Sequence, residues 1–464
     1  MQLTLDDLGS PAAIRDTAYN SSIFRPIHYL GSKLRLAPAI ADALDEADPS
    51  RGAVLDLFAG SGTTALALAG HRRVIASDIQ EYSRVLCCAL LRNSRLTNHI
   101  VAPFLNCVNE TSPMTEALRN AVLPLVKFER KALAAVAHGD AEAICAVLEG
   151  GSILAAERGV ASTTLPELQD CLHSVVERLS ELDLSGSNVA TCVRYFGGAY
   201  FSYAQATELD CLSAVAAESV PHEFAELFTA VLLSTASDTV NTVGKQFAQP
   251  IRPRSKLGVI KRHLLSKIER DRRLDVRSTY LDWLSKYARH EVPNEGHIAA
   301  RADYRDALRE YSGRYSVVYA DPPYTRDHYS RFYHVLETLA RRDNPSIARN
   351  PGSPVNELSR GLYRDDRHQS PFCIKSQAAD AFRALFELAS ISGANLVVSY
   401  SPFVSGAHPR MMQIDALVEM AREFYPNVNL ERVDGITHSK LNHSRLNLDT
   451  PEAAEVLLVC RLKQ

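Results

Sequence analysis

The sequence predicts an α/β protein, a doubly wound Rossmann-like domain interrupted by a large, mainly helical insertion. Three observations carry this. A short apolar run, Ala53-Val-Leu-Asp-Leu-Phe58, passes through Ala59-Gly-Ser-Gly-Thr-Thr64 into helix formers. A second strand-like run, Arg73-Val-Ile-Ala-Ser-Asp78, precedes a second helical pattern from Tyr82 to Asn93. Strand signals then stop and resume only at Tyr315–Ala320, Asn395–Tyr400 and Glu455–Cys460. A βαβα start followed by late strands is the pattern of a parallel sheet assembled from both ends of a chain.

Between these ends the periodicity is helical: 114–137, 141–148, 165–182, 204–217, 223–235, 259–271 and 278–288, punctuated by Gly150-Gly151 and Ser185-Gly-Ser187. The expected division is an N-terminal extension over 1–24, a split sheet domain over 25–110 and 312–464, and a helical insertion over 111–311.

The chain has 464 residues, 46% hydrophobic and 23% charged, which excludes a largely disordered polymer. It shows no apolar run approaching the ~18–20 residues of a membrane span. Asp6 and Asp7 stand where a signal peptide carries positive charge, so export is not expected and a cytoplasmic location is. Nine cysteines without a Cys-x-x-Cys pair fit neither a disulfide framework nor a zinc site, and no metal is expected. A net charge of −3 requires any nucleic-acid contact to be a local patch.

Asp56-Leu-Phe-Ala-Gly-Ser-Gly62 lies between strand and helix, where small residues admit a ligand close to the backbone and to helical N–H groups. Asp78 ends the next strand, where a carboxylate accepts from ribose hydroxyls. The loop also satisfies the loose dinucleotide fingerprint, so NAD competes at this point. No lysine follows the glycines, which removes the P-loop.

Asp321-Pro-Pro-Tyr324 follows the strand Tyr315–Ala320. Pro322 and Pro323 stiffen the loop and leave only carbonyl acceptors. Asp321 adds a carboxylate and Tyr324 an aromatic face. An acceptor pair beside a stacking ring suits the exocyclic amine of a flat base taken out of its helix.

Together with Tyr29-Leu-Gly-Ser-Lys33, these motifs resemble the D12-class, alpha-type N6-adenine-specific DNA methyltransferases over roughly 25–97 and 314–462. Arg194-Tyr-Phe-Gly-Gly-Ala-Tyr-Phe-Ser-Tyr203 with Glu208-Leu-Asp210 resembles a stretch found before the family's Asp-Pro-Pro-Tyr strand. The resemblance implies a methyltransferase fold with the split domain catalytic and the insertion serving target recognition, S-adenosylmethionine as donor, and a prokaryotic or phage-like source. Tyr29 and Lys33 would line the donor pocket. Asp56, Phe58, Ala59, Gly60, Ser61, Gly62 and Thr63 would hold its methionine part, Asp78 and Ile79 its nucleoside side, and Asp321 the junction with the base. The acceptor would be a flipped adenine in double-stranded DNA, with RNA adenine or cytosine N4 as alternatives. A NAD-dependent oxidoreductase and a non-catalytic DNA-binding module are readings from other classes. A restriction or defence component is a further candidate partner. Cytosine C5 chemistry is excluded, because no Pro-Cys dipeptide supplies a thiolate.

Residues 252–277 hold ten Lys and Arg against three acids. Gln249, Arg252, Arg254, Lys256, Lys261 and Arg262 are the candidate DNA-binding residues. Asn442-His-Ser-Arg445 and Arg326-Asp-His-Tyr329 are weaker ones.

Overall fold

A computed structural model describes residues 24–463 apart from 32, 111, 161–162, 294–295, 324–328, 350–357, 402–410 and 434–454. The described chain divides into two compact units. The expected extension over 1–24 lies almost wholly outside the described residues.

The first unit, residues 24–93, 290–330 and 368–463, is built on a seven-stranded sheet. Its strands are β1 Val54–Asp56, β2 Val74–Asp78, β3 Ile298–Arg301, β4 Val317–Ala320, β5 Asn395–Tyr400, β6 Asn427–Val433 and β7 Glu455–Arg461. Their order is β3-β2-β1-β4-β5-β7-β6. Neighbours from β3 to β5 are parallel, and β7 runs antiparallel to both β5 and β6. The fold is therefore mixed α/β with a parallel-dominated sheet, as expected.

Successive side chains enter opposite layers. Leu55, Ile75, Val318, Leu396 and Leu458 pack in one cluster with Phe382 and Phe386 of the helix Ala378–Ile391. Val54, Val74, Val317, Val397 and Val459 pack in the other with Ile40 and Leu44 of the helix Ala37–Ala47. Cover on both faces is why the central strands read as unbroken apolar runs. Two strands escape such a reading. Ile298-Ala-Ala-Arg301 is short and alanine-rich, and Asn427–Val433 is an edge strand with alternating exposure.

The second unit comprises 94–289 and 331–367 among the described residues and is mainly helical. Its long helices are Pro113–Val136, Pro166–Glu181, Tyr203–Ser219, Ala225–Thr239 and Val276–Ala288, close to the expected spans. The expected helix at 259–271 is instead a turn over Arg262–Leu264 and a helix over Leu265–Arg272. The unit boundaries also differ from 111 and 311. The helix Asn98–Glu110 falls in the helical unit, and 290–310 joins the sheet unit through β3. Residues 331–367 join the helical unit because its motif side chains bond them. Arg194 donates to Asn344 Oδ1, Tyr195 Oη to the Pro345 carbonyl and Tyr200 Oη to the Gly361 carbonyl.

The Arg194–Tyr203 stretch is thus a structural core of the helical unit. Asp210 accepts from the Cys192 and Val193 N–H groups at 2.8 Å, anchoring the helix Thr191–Phe196. Ser202 and Gln205 form a reciprocal cap at the start of the next helix. Arg272, fully buried, pairs with Glu129 and donates to Asn241 Oδ1 and the Gly198 carbonyl. Removing one partner of such a pair strands a buried charge, at a cost of about 3–5 kcal/mol. Arg272→Met should therefore lower denaturant stability by that amount, and adding Glu129→Gln should recover part of it. Equal stability of Arg272→Met and wild type in a urea titration would contradict this role.

Candidate active site

Parallel pairing sets Asp56 of β1 beside Ala76 of β2 and Tyr319 of β4. Strand ends carrying Asp56, Asp78 and Asp321 therefore open at one edge of the sheet, where open α/β folds hold ligands. The loop after β1 is hooked onto its neighbours by backbone bonds. Leu57 N–H donates to the Tyr319 carbonyl, and Phe58 and Ala59 N–H both donate to the Ser77 carbonyl. Phe58 takes φ 105°, a strained value for a non-glycine residue. Gly60 has φ +54°, and a Cβ there would run into the Tyr29 ring, so the glycine is what lets Tyr29 close over the loop.

The three carboxylates have different surroundings. Asp78 accepts from Gly60 N–H at 3.0 Å and Gln80 N–H at 2.9 Å. Burial raises its pKa, while those two donors and His368 oppose the rise. Asp56 is 1% exposed, and its Oδ2 has no hydrogen-bond partner among the described residues. Burial, then the nearby Asp321 and Asp78 charges, push its pKa to about 8. Asp321 lies 3.3 Å from Lys33 Nζ, with its side chain 22% exposed. Burial raises its pKa to about 7; Lys33 works against this rise and Glu455 adds to it.

One cavity joins these groups. Its walls include Tyr29, Lys33, Asp56, Phe58, Ala59, Ser61, Thr63, Asp78, Ile79, Asp321, Pro322 and Pro323 from the sequence-derived set. Gly60 and Gly62 shape the loop behind that wall. Cys373 Sγ lies 3.7 Å from the Pro323 carbonyl and braces the double-proline turn. Tyr324, with Arg326, Asp327 and His328, lies outside the described residues, as does Asn442–Arg445. Tyr329 lines the cavity.

The structure adds residues that sequence reasoning missed. Asp303 and Tyr304, just after β3, and His368 and Gln369 complete the cavity wall. Burial lowers the His368 pKa, with Asp303 and Asp78 acting in the opposite sense. Glu455, 1% exposed at the start of β7, bonds Lys33 Nζ at 2.8 Å. The available signal was an acid opening an otherwise apolar buried run.

The candidate DNA-binding residues belong to the helical unit. A bridge between Arg254 and Ile260 and the bond from Ser255 N–H to the Val259 carbonyl close a small hairpin. Gln249, Arg252, Lys256 and Arg262 are exposed. Arg254 is bound to Glu142 and Glu149, at 2.5 and 3.1 Å, and Lys261 donates to the Arg252 carbonyl. Further on, Lys267 and Arg270 pair with Asp271, Arg273 with Glu269 and Arg277 with Glu208. The exposed positive charge thus concentrates between 252 and 262. Among the described residues no group of His, Cys, Asp and Glu gathers as a metal site, and no helix is long and apolar enough to cross a membrane.

A family model described as D12 class N6 adenine-specific DNA methyltransferase matches residues 29–117 and 278–391. Modification methylase LlaI of Lactococcus lactis subsp. lactis is 36% identical over 138 residues, 30% of this chain and 18% of that protein. Type II methyltransferase M.FokI of Planomicrobium okeanokoites is 35% identical over 85 residues, 18% of this chain and 11% of that protein. Type II methyltransferase M.NlaIII of Neisseria lactamica is 31% identical over 95 residues, 20% of this chain and 25% of that protein. The alignments thus span a quarter or less of each relative's length. No solved structure matches the chain significantly.

The raised Asp56 pKa makes a stability prediction. Stability associated with its neutral form is present below the unfolded value near 3.8 and is lost as pH rises through about 8. Asp56→Asn cannot ionise, so the ligand-free variant should melt above wild type at pH 8.5 and with it at pH 4, with about 2–4 °C for each kcal/mol relieved. Melting differences independent of pH would contradict the assignment.

Proposed function

We propose that the chain, whose residues 29–117 and 278–391 match the D12 class of N6 adenine-specific DNA methyltransferases, moves a methyl group from S-adenosylmethionine to the N6 amine of adenine in double-stranded DNA. The observation that carries this is the convergence of the glycine loop, Asp78 and the Lys33–Asp321 pair on one cavity. The relatives named as methylases support it.

The residues present fit the donor. The unpartnered Asp56 Oδ2 is a buried acceptor suited to an ammonium group. Asp78, whose two oxygens each accept one backbone N–H, keeps a further lone pair on each for ribose hydroxyls. The methyl group, bonded to a sulfonium, is electrophilic without assistance from a metal.

The remaining work is done by the chain. Asp321 and the Pro322 carbonyl accept the two N–H bonds of the flipped base's amine, turning its lone pair out of conjugation. Tyr324 is assigned to stacking on that base. The amine nitrogen forms the new C–N bond as the donor's C–S bond breaks, and its surplus proton passes to Asp321. No covalent enzyme intermediate is needed, and the rate gain is mainly one of positioning. In this reading the sheet unit is catalytic, and the exposed charges at 252, 256 and 262 meet phosphates.

Four outcomes test the reading. Duplex DNA incubated with labelled donor should yield N6-methyladenine on digestion; label in cytosine, in RNA alone or nowhere would defeat it. Asp321→Ala should lower the rate at least a hundredfold with DNA affinity within threefold of wild type. An active variant would refute the role. Because Asp321 must be ionised, the wild-type rate should rise with pH through about 7. Finally, replacing Arg252, Lys256 and Arg262 with Gln should weaken DNA binding and flatten its logarithmic salt slope by about 0.9 for each phosphate no longer neutralised. An unchanged slope would place the DNA interface on other residues.

A further inference from the structure

Glu455 opens β7, a strand whose next five residues are apolar and buried. A carboxylate placed there costs several kcal/mol unless compensated. Two donors compensate it at the same oxygen: Lys33 Nζ at 2.8 Å and Ser399 Oγ at 2.9 Å. The same ammonium stands 3.3 Å from Asp321 Oδ1. One lysine therefore serves two carboxylates, and it lies closer to the one that lines no part of the cavity.

The charge balance of this triad has a consequence for the chemistry. Lys33 and Asp321 alone would form a neutral pair, with the carboxylate's acceptor strength directed at the lysine. With Glu455 present the three groups carry a net charge of −1. With Asp321 ionised, that excess charge stands beside the cavity, where the donor is a cation and its demethylated product a neutral thioether. Both bind through similar nucleoside and amino-acid parts, so this field is a means of telling them apart.

Resting on the methyl-transfer reading above, we propose that Glu455 is a positioning residue. By sharing the Lys33 ammonium it leaves the ionised triad with one excess negative charge beside the cavity, and so favours the sulfonium donor over the thioether product.

Asp321 is faced by Lys33, by Glu455 on β7, by Asp56 on β1 and by Tyr319 on its own strand. Of these, Glu455 acts to raise the Asp321 pKa and Lys33 to lower it. Removing the Glu455 charge therefore moves Asp321 ionisation to lower pH.

The test uses Glu455→Gln in the full chain, which keeps the side-chain shape and an acceptor for Ser399 and Lys33. Calorimetric titration measures binding of S-adenosylmethionine and of S-adenosylhomocysteine separately. The preference for the sulfonium should fall about tenfold relative to wild type. Above the acid limb, where Asp321 is ionised in both proteins, kcat should fall about tenfold with KM for DNA within threefold, and the acid limb of the pH–rate profile should shift to lower pH. Glu455→Asp, which restores the charge, should recover part of both. If Glu455→Gln does not fold, Ser399→Ala loosens the same carboxylate and should lower the preference two- to threefold. A wild-type preference and an unmoved acid limb in the folded variant would overturn the role. A wild-type chain that binds neither nucleoside is a different result: it overturns the donor assignment, and the role of Glu455 with it.

Discussion

Two carboxylates, Asp321 and Glu455, share one buried ammonium at the strand ends, Asp56 feels the charges of Asp321 and Asp78, and the rest of the sheet unit is arranged to tolerate that crowding. Asp56 and Glu455 are each 1% exposed, and Lys33 is 7% exposed. Like charges in such a place raise one another's pKa and destabilise the fold when ionised. The fold answers with fixed donors: two backbone N–H groups on Asp78, the ammonium between Asp321 and Glu455, and Ser399 on Glu455. Asp56 Oδ2 is left over among the described residues. A group that the fold leaves unsatisfied at a cavity wall is where a ligand contributes most.

Strand register makes the crowding possible. β1, β2 and β4 are parallel neighbours, so their C-terminal ends come out together. A slip by one residue would send Asp56 into an apolar layer and Leu55 toward the cavity. The backbone hooks from the loop after β1 onto Ser77 and Tyr319 oppose such a slip. Strain at Phe58, where φ is 105°, is of the kind that surrounding structure must over-determine, with a typical cost of about 1–3 kcal/mol.

The central sheet was legible because burial on both faces leaves continuous apolar runs at 53–58, 73–78, 315–320, 395–400 and 455–460. The glycine loop and Asp321-Pro-Pro were legible because their residue types have narrow backbone uses. β3 and β6 were not, since a strand at a sheet edge needs neither length nor two apolar faces. The Lys33–Glu455 pair spans 422 positions, and nothing local connects its members. Arg254 read as a phosphate ligand, yet Glu142 and Glu149 lie more than a hundred residues away and hold it. The segment 331–367 lies within the expected 312–464 span of the sheet domain, whereas buried tyrosine hydroxyls of the helical unit bond its carbonyls.

The most direct measurement is a crystal structure of the chain with a non-reactive sulfonium analogue of the donor and a duplex containing its target adenine. The account expects the amine nitrogen about 3–3.5 Å from the carbon to be transferred, with its N–H groups on Asp321 and the Pro322 carbonyl. A sulfonium seated away from Lys33 and Asp321, or an amine bonded to other acceptors, would contradict it.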